Sequence, residues 1–300
     1  MRGAPSSVIA STSDSTRCAT PCSSGGVALP SIKFSGVQPK KRFGQNFLVN
    51  AAAAQQIARL SQGDAGGGVR TLEIGAGTGV LTAALLQHGA AVTTLEIDAQ
   101  LVERLRARPD LAAAEIVRAD ALTFDYGAWA GDGPWVVAGN LPYNIATPLI
   151  LRLIEMPQGP RTLTVTVQRD VADRFAAAPG SAAYGSLSIA VQYWTNVERA
   201  MRLSARSFFP APKVQSTVVR LTRRSAPPVQ PGDEALFWKV VRGVFAYRRK
   251  TLVNALHLSL GFERTDVVRA LAQSNLSPEI RGERLDIGDF ARLADALAAQ

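Results

Sequence analysis

Leu72-Glu73-Ile74-Gly75-Ala76-Gly77-Thr78-Gly79-Val80-Leu81-Thr82 is the stretch that decides the fold. The short apolar run from Arg70 to Ile74 reads as a strand, and Val80 to His88 reads as the helix that follows it. Between them lies a turn with a glycine at every second position. Such a turn lets the backbone approach a ligand closely and aims the helix's first N–H groups at it. The spacing is G-x-G-x-G rather than the G-x-G-x-x-G of dinucleotide folds, and either pattern alone is weak. What gives it weight is the chain on both sides.

Downstream, Ala91 to Ile97 reads as a second strand ending in the acids Glu96 and Asp98, and Ala99 to Arg108 as a helix. Glu115 to Arg118 is a third strand leading to Asp120. Pro134 to Ala138 is a fourth, entering Asn140-Leu141-Pro142-Tyr143. Thr162 to Gln168 is a fifth, followed by a helix from Arg169 to Ala178. β-Like runs at Ser188 to Trp194 and Ser216 to Leu221 complete the sheet, and Ala51 to Leu60 reads as a helix upstream. Strands alternating with helices of about ten residues imply a mostly parallel sheet covered on both faces. Thr222 to Gly232 carries three prolines and no periodicity, so it reads as a linker. Beyond it Phe237, Val240, Val241 and Val244 recur at helical spacing, as do Leu252, Val253, Leu256 and Leu260. Thr265 to Gln273 and Asp289 to Leu297 look helical too. The expected division is 1–39 as a tail, 40–224 as the α/β domain and 225–300 as a small all-helical domain.

The tail is rich in Ser, Thr, Gly and Ala, with one acid (Asp14) and three basic residues (Arg2, Arg17, Lys33) up to about residue 38. It cannot bury a core and is expected to be disordered. It has no apolar h-region of a secretory signal. Its Ser-rich, acid-poor composition fits either a dispensable tail or an organelle transit peptide. The expected compartment is therefore cytoplasmic, with plastid or mitochondrion as the alternative.

The 300 residues are 47% hydrophobic, enough for a sizeable core, and no run reaches the roughly 18 apolar residues of a membrane helix. A soluble protein with no membrane partner is expected. A net charge of +9 suits a polyanionic partner. The two cysteines, Cys18 and Cys22, both fall in the tail, and the two histidines, His88 and His257, lack metal-ligand spacing. No metal site is expected, and chemistry needing a His base or a Cys nucleophile is disfavoured.

The chemistry-bearing residues all stand at the carboxyl ends of predicted parallel strands, the edge where open α/β sheets bind ligands. Glu96, 21 residues after Gly75, is placed to accept both ribose hydroxyls of a nucleoside. Asp120 is placed to accept from an adenine amine. Asn140-Leu141-Pro142-Tyr143 is the sharpest element. An adenine N6 amine is a poor nucleophile because its lone pair is delocalised into the ring. The Asn140 side-chain oxygen and the Leu141 carbonyl can accept its two N–H bonds, which localises that lone pair. Tyr143 can stack on an extruded base, and Pro142 keeps the loop rigid. Rate would come from alignment and electrostatics rather than a strong base.

With these motifs in hand, the chain closely resembles the ribosomal RNA adenine dimethyltransferase family of the kasugamycin-sensitivity type. The resemblance runs from 40 to 300 through Lys41-Arg42-Phe43-Gly44-Gln45-Asn46-Phe47-Leu48, the glycine stretch, Leu95-Glu96-Ile97-Asp98, Ala119-Asp120-Ala121-Leu122 and Asn140 to Pro148. It continues through Gln168 to Arg174, Phe208-Phe209-Pro210-Ala211-Pro212-Lys213-Val214 and Arg248-Arg249-Lys250-Thr251-Leu252-Val253-Asn254. Ala76 and Ala146 replace a common Pro and Ser, small for small. The resemblance implies a Rossmann-like class I methyltransferase sheet, S-adenosyl-L-methionine as cofactor, and N6,N6-dimethylation of two adjacent adenosines near the 3′ end of small-subunit rRNA. The implied partner is that rRNA within pre-ribosomal particles during late assembly, met by a monomer. Residue by residue, it implies that Asn46 and Leu48 close over the cofactor, Gly75 lines it, Glu96 holds the ribose, Asp120 the adenine, and Asn140 bridges cofactor and target. Phe208 would sandwich the target base with Tyr143. Arg248, Arg249 and Lys250, expected on a helix, would grip RNA phosphates. Competing readings are a large-subunit rRNA adenine methyltransferase, which would not be expected to carry Arg-Arg-Lys-Thr-Leu-Val-Asn, and a non-catalytic transcription or assembly factor, which would not need Asn140, Tyr143 and Glu96 intact. A DNA adenine methyltransferase would want a base-reading insertion that the chain lacks.

Overall fold

The computed structural model describes residues 38–40, 43–63 and 69–300. The two cysteines and most of the serine-rich tail lie outside them, as do Lys41 and Arg42. In chain order the elements are β1 (Phe47–Leu48), α1 (Ala51–Gln62), β2 (Arg70–Ile74), α2 (Val80–Gln87), β3 (Ala91–Glu96), α3 (Ala99–Arg106), β4 (Glu115–Arg118), α4 (Tyr126–Ala130), β5 (Trp135–Asn140) and α5 (Tyr143–Glu155). There follow β6 (Thr162–Gln168), α6 (Arg169–Phe175), α7 (Ser186–Trp194), β7 (Thr195–Leu203), β8 (Phe208–Phe209) and β9 (Ser216–Arg223). The last are α8 (Glu234–Ala246), α9 (Leu252–Leu260), α10 (Arg264–Gln273) and α11 (Ile287–Ala298).

Seven strands form one sheet in the order β4-β3-β2-β5-β6-β9-β7. The β2, β3, β4, β5 and β6 pairings are parallel, and β9 runs antiparallel to both its neighbours. The chain starts at the sheet centre with β2, winds outward through β3 and β4, then returns to β5 on the other side. The ends of β2 and β5 therefore flank the switch point where such sheets open a crevice. Central strands are buried on both faces, so β2 and β6 read as unbroken runs, Thr71 to Ile74 and Thr162 to Val167.

Most expected elements are present; the short elements β1, α4 and β8 are additional, and four larger differences follow. Ser188 to Trp194 is not a strand but most of helix α7. Leu187 and Val191 on one side enter the sheet's apolar cluster, while Ile189 and Tyr193 on the other enter the cluster of the C-terminal helices. A helix buried on two faces has no polar stripe and mimics a strand. The sheet is completed instead by β7, an edge strand whose Glu198, Arg199 and Arg202 suit an exposed edge. Tyr143–Glu155, which carries Pro148 within it, is a helix that sequence patterning alone did not suggest. Finally, Arg248-Arg249-Lys250 is not helical. α8 ends at Ala246, the Lys250 N–H donates to the Tyr247 carbonyl at 2.8 Å, and α9 begins at Leu252. The physical reason is packing. α8 spends its apolar face through Val244, and the chain reverses so that Leu252 and Leu256 reach the same cluster.

Helix starts follow from their capping residues. Asn50 accepts from the Ala53 N–H at α1, Asp98 from Gln100 at α3, and Asp233 from Leu236 at α8. Helix α2 has no side-chain cap; Gly79 opens it at φ +78°, in the left-handed region. A Cβ there would stand 2.7 Å from Leu111 Cδ1 and 2.8 Å from Leu105 Cδ2, so both backbone and packing demand glycine.

Candidate active site

One cavity lies at the carboxyl ends of β2, β3 and β5, with about 890 Å³ of empty space counted to its open mouth. Its walls contain all six residues expected to hold the cofactor, namely Asn46, Leu48, Gly75, Glu96, Asp120 and Asn140, together with Leu141, Pro142 and Tyr143. Sheet topology brings together residues up to 97 positions apart, from Glu96 to Tyr143 and back to Asn46.

The glycine turn forms the floor. Gly77 has φ +55°, and a Cβ on it would stand 2.9 Å from the ring of Phe47, so residues 46–48 lie directly over the turn. Glu96, at the end of β3, is 5% exposed. Its Oε2 accepts from the Gly77 N–H and its Oε1 from the Asp98 N–H, both at 2.9 Å. These bonds fix the carboxylate's orientation and leave each oxygen a second lone pair. Burial is the largest influence on its pKa and raises it, with the Asp98 charge adding to the rise, against the pull of the Asp98, Gly77 and Ile97 N–H groups. Asp120 is half-buried after β4, and one oxygen accepts from the Leu122 N–H at 2.9 Å. Ile97 lines the cavity as an exposed apolar side chain.

Asn140 ends β5, and its Nδ2 donates to the Asn46 carbonyl at 2.6 Å. That bond commits the amide nitrogen, so Oδ1 remains the acceptor for anything entering the site. Tyr143 begins α5, and its hydroxyl is hydrogen-bonded to Ser216 Oγ at 2.7 Å, which anchors the ring. Burial raises the phenol's pKa. Phe208 is brought to the same region by antiparallel pairing of β8 with β1, Leu48 opposite Phe208 and Phe47 opposite Phe209. Its ring is covered at 4% exposure and does not line the cavity, whereas Phe209 is 43% exposed. Arg248, Arg249 and Lys250 are all exposed on the α8–α9 turn, away from the cavity walls. Arg248 pairs with Glu283 at 3.4 Å and donates to the Ala182 carbonyl at 2.7 Å.

Several wall residues have no role assigned from the sequence, among them Glu73, Gln45 and Phe47. Glu73 is wholly buried beside the turn, and Gln45 and Phe47 line the cavity from above. Glu73 carried a signal, an acid two residues before the first glycine in an otherwise apolar strand. The histidines stand elsewhere, His88 against Gln55 and His257 against the Phe262 carbonyl, both at 2.9 Å.

The donor set suits a nucleoside carrying a charged tail, with buried carboxylate lone pairs for a ribose, apolar walls for a base, and backbone brought close by glycine. Together with the strand order, this defines a class I S-adenosyl-L-methionine-dependent methyltransferase. The chain belongs to the ribosomal RNA adenine dimethylase family, whose model matches residues 36–298. It is 42% identical over 268 residues to the ribosomal RNA small subunit methyltransferase A of Lactococcus lactis, covering 86% of this chain and 90% of that one. The protein of the same name from Moorella thermoacetica is 38% identical over 285 residues, covering 91% and 97%. Among solved structures, the 23S rRNA methyltransferase ErmE superposes with a TM-score of 0.67 at 25% identity, covering 84% of this chain and all of that one. A dimethyladenosine transferase from Plasmodium falciparum superposes with a TM-score of 0.65 at 24% identity, covering 81% and 94%, and supports the fold.

Proposed function

We propose that this protein transfers methyl groups to the N6 amines of two adjacent adenosines in the 3′-terminal hairpin loop of small-subunit rRNA, late in ribosome assembly. The observation that carries the chemistry is the Asn140–Asn46 bond, which leaves Asn140 Oδ1 as a fixed acceptor in the wall of the cavity that Glu96, Asp120 and the glycine turn also line. When bound there, S-adenosyl-L-methionine supplies an electrophilic methyl on a sulfonium centre. Glu96 accepts from the ribose hydroxyls, Asp120 from the adenine amine, and Gly75, Asn46 and Leu48 shape the remaining walls. Asn140 Oδ1 and the Leu141 carbonyl accept the two N–H bonds of the target amine, turning its lone pair out of conjugation. Tyr143, held by Ser216, supplies a stacking face. Phe208 would supply the second face after a rotamer change, since its ring is covered here. The amine needs no strong base, because its proton becomes acidic only as the new bond forms.

The exposed turn Arg248-Arg249-Lys250 is the proposed phosphate grip, consistent with the net charge of +9. The small-subunit reading is favoured over the large-subunit one by 38–42% identity to small-subunit enzymes against 25% to ErmE. The non-catalytic reading is disfavoured because Asn140, Tyr143 and Glu96 are present and converge on one cavity. The test is single-turnover transfer by Asn140→Ala. Fold and most cofactor affinity should survive, while kcat falls by at least tenfold, since a hydrogen bond that strengthens as charge develops is worth roughly 2 kcal/mol or more. Retention of more than about a tenth of wild-type kcat would contradict the assignment.

A further inference from the structure

We propose that Asp98, with Lys40 and Gln45, is a clasp that holds residues 43–48 closed over the nucleoside cavity and sets the rate at which the cofactor and its product exchange. The inference rests on the cofactor reading above and concerns residues to which that reading gives no role. Phe43, Gly44, Gln45, Asn46, Phe47 and Leu48 all line the cavity, so the segment is a strap across it. One end of the strap is held by backbone. β1 pairs with β8, and the Val49 N–H donates to the Ser207 carbonyl at 2.8 Å. The other end is held by side chains that converge on one carboxylate.

Asp98 is 4% exposed and sits at the start of α3. Its Oδ1 accepts from Lys40 Nζ at 2.7 Å and from the Gln100 N–H at 3.1 Å, and its Oδ2 from Gln45 Nε2 at 3.5 Å. Gln45 Oε1 in turn accepts from the Lys40 backbone N–H at 2.7 Å, so the two residues are tied to each other as well as to Asp98. Burial works to raise the Asp98 pKa, but the bonds from Lys40, Gln100 and Gln45 outweigh it and hold the carboxyl below its ordinary value. The Asp98 N–H donates to Glu96 Oε1, so the clasp and the proposed ribose carboxylate share one turn of chain. The strap's middle is tied by the Asn140–Asn46 bond, and release of either end would widen the cavity's mouth and ease a ligand's exit. The clasp end is the looser, because a single ion pair with a part-exposed lysine does most of the holding, where the other end has a ladder.

Asp98 is thus a positioning residue, acting on the cofactor through the strap. Its second duty, capping α3, is separable. Lys40→Met leaves the cap untouched, and Asp98→Asn keeps an oxygen for the Gln100 N–H. The experiment has two arms. In the ligand-free protein, hydrogen exchange of residues 43–48 is measured alongside that of α3. In the second arm, S-adenosylhomocysteine dissociation is followed by stopped flow across ionic strengths. Each variant should raise strap exchange and the dissociation rate roughly tenfold, the scale of a hydrogen bond to a charged group, with α3 unchanged. The wild-type dissociation rate should climb with salt, while that of Lys40→Met should not. Lys40→Arg should restore wild-type behaviour, and the double variant should be no worse than either single one. Unchanged strap exchange in Lys40→Met, additive effects in the double variant, or equal loosening of α3 would overturn the clasp. Failure of the wild-type protein to bind S-adenosylhomocysteine would count against the cofactor reading instead, and the exchange arm would still decide the clasp.

Discussion

Replacing Glu73 by Gln should stabilise the protein at neutral and alkaline pH and change little in acid. Glu73 lies on the central strand β2, wholly buried beside the glycine turn. Its Oε2 accepts from Thr82 Oγ1 at 2.6 Å, and its Oε1 has no hydrogen-bond partner among the described residues. Burial, the largest influence, raises the carboxyl from 4.5 to about 7. The Thr82 hydroxyl bond pulls it back, the Thr94 hydroxyl lies near but outside hydrogen-bond geometry, and the nearby charge of Glu96 adds to the rise. The folded state therefore binds this proton more tightly than the unfolded chain does. The stability this contributes is fully present below pH 4.5 and is lost as pH rises through about 7. At about 1.4 kcal/mol per pH unit between those limits, the loss is about 3 kcal/mol. Glutamine matches the protonated carboxyl in shape and carries no charge at any pH. The assay is urea unfolding of both proteins without cofactor from pH 5 to 8, reading the difference so that titrations not coupled to Glu73 cancel. That difference should be small at pH 5 and approach 3 kcal/mol in favour of the variant, within about a factor of two, at pH 8. A difference independent of pH, or a wild type more stable at pH 8, would refute the reasoning that an ionised carboxylate is held in the dry interior behind the turn.

Two further perturbations separate the parts of the site. Glu96→Ala should weaken cofactor binding by about 1–3 kcal/mol, the range for hydrogen bonds to a charged acceptor, and unchanged affinity in calorimetry would place the ribose elsewhere. Charge reversal of Arg248, Arg249 and Lys250 to Glu should weaken binding to pre-ribosomal particles but not to cofactor. The logarithmic salt slope should become shallower by about 0.7–0.9 for each RNA phosphate the turn no longer neutralises. An equal slope with equal affinity would reduce the turn to a solvated loop.

Much of this was legible because burial on both faces and glycine geometry write themselves into single residues. The bounds of β2, β4 and β6 match their apolar runs, and the ligand-facing residues sit at strand ends where topology converges them. Legibility fails where one pattern serves two structures. The apolar run of α7 reads as a strand because the helix is sandwiched between two clusters. β7 hides behind the charges that protect an edge, and α5 behind the proline inside it. The strap's pairing with β8, residue 47 against residue 209, has no local signature at all, since register between two-residue strands is set by tertiary packing. The same distance in sequence concealed the Lys40–Asp98 clasp and the covered state of Phe208.

The most direct test of the central claim is methyl transfer itself. Immature small subunits lacking the modification are incubated with the protein and tritiated S-adenosyl-L-methionine, and the RNA is digested to nucleosides. Label is expected in N6,N6-dimethyladenosine, confined to two adjacent positions of the 3′-terminal hairpin loop and reduced at least tenfold in rate with Asn140→Ala. Label in large-subunit RNA alone, or no transfer by a protein that binds the cofactor, would contradict that claim.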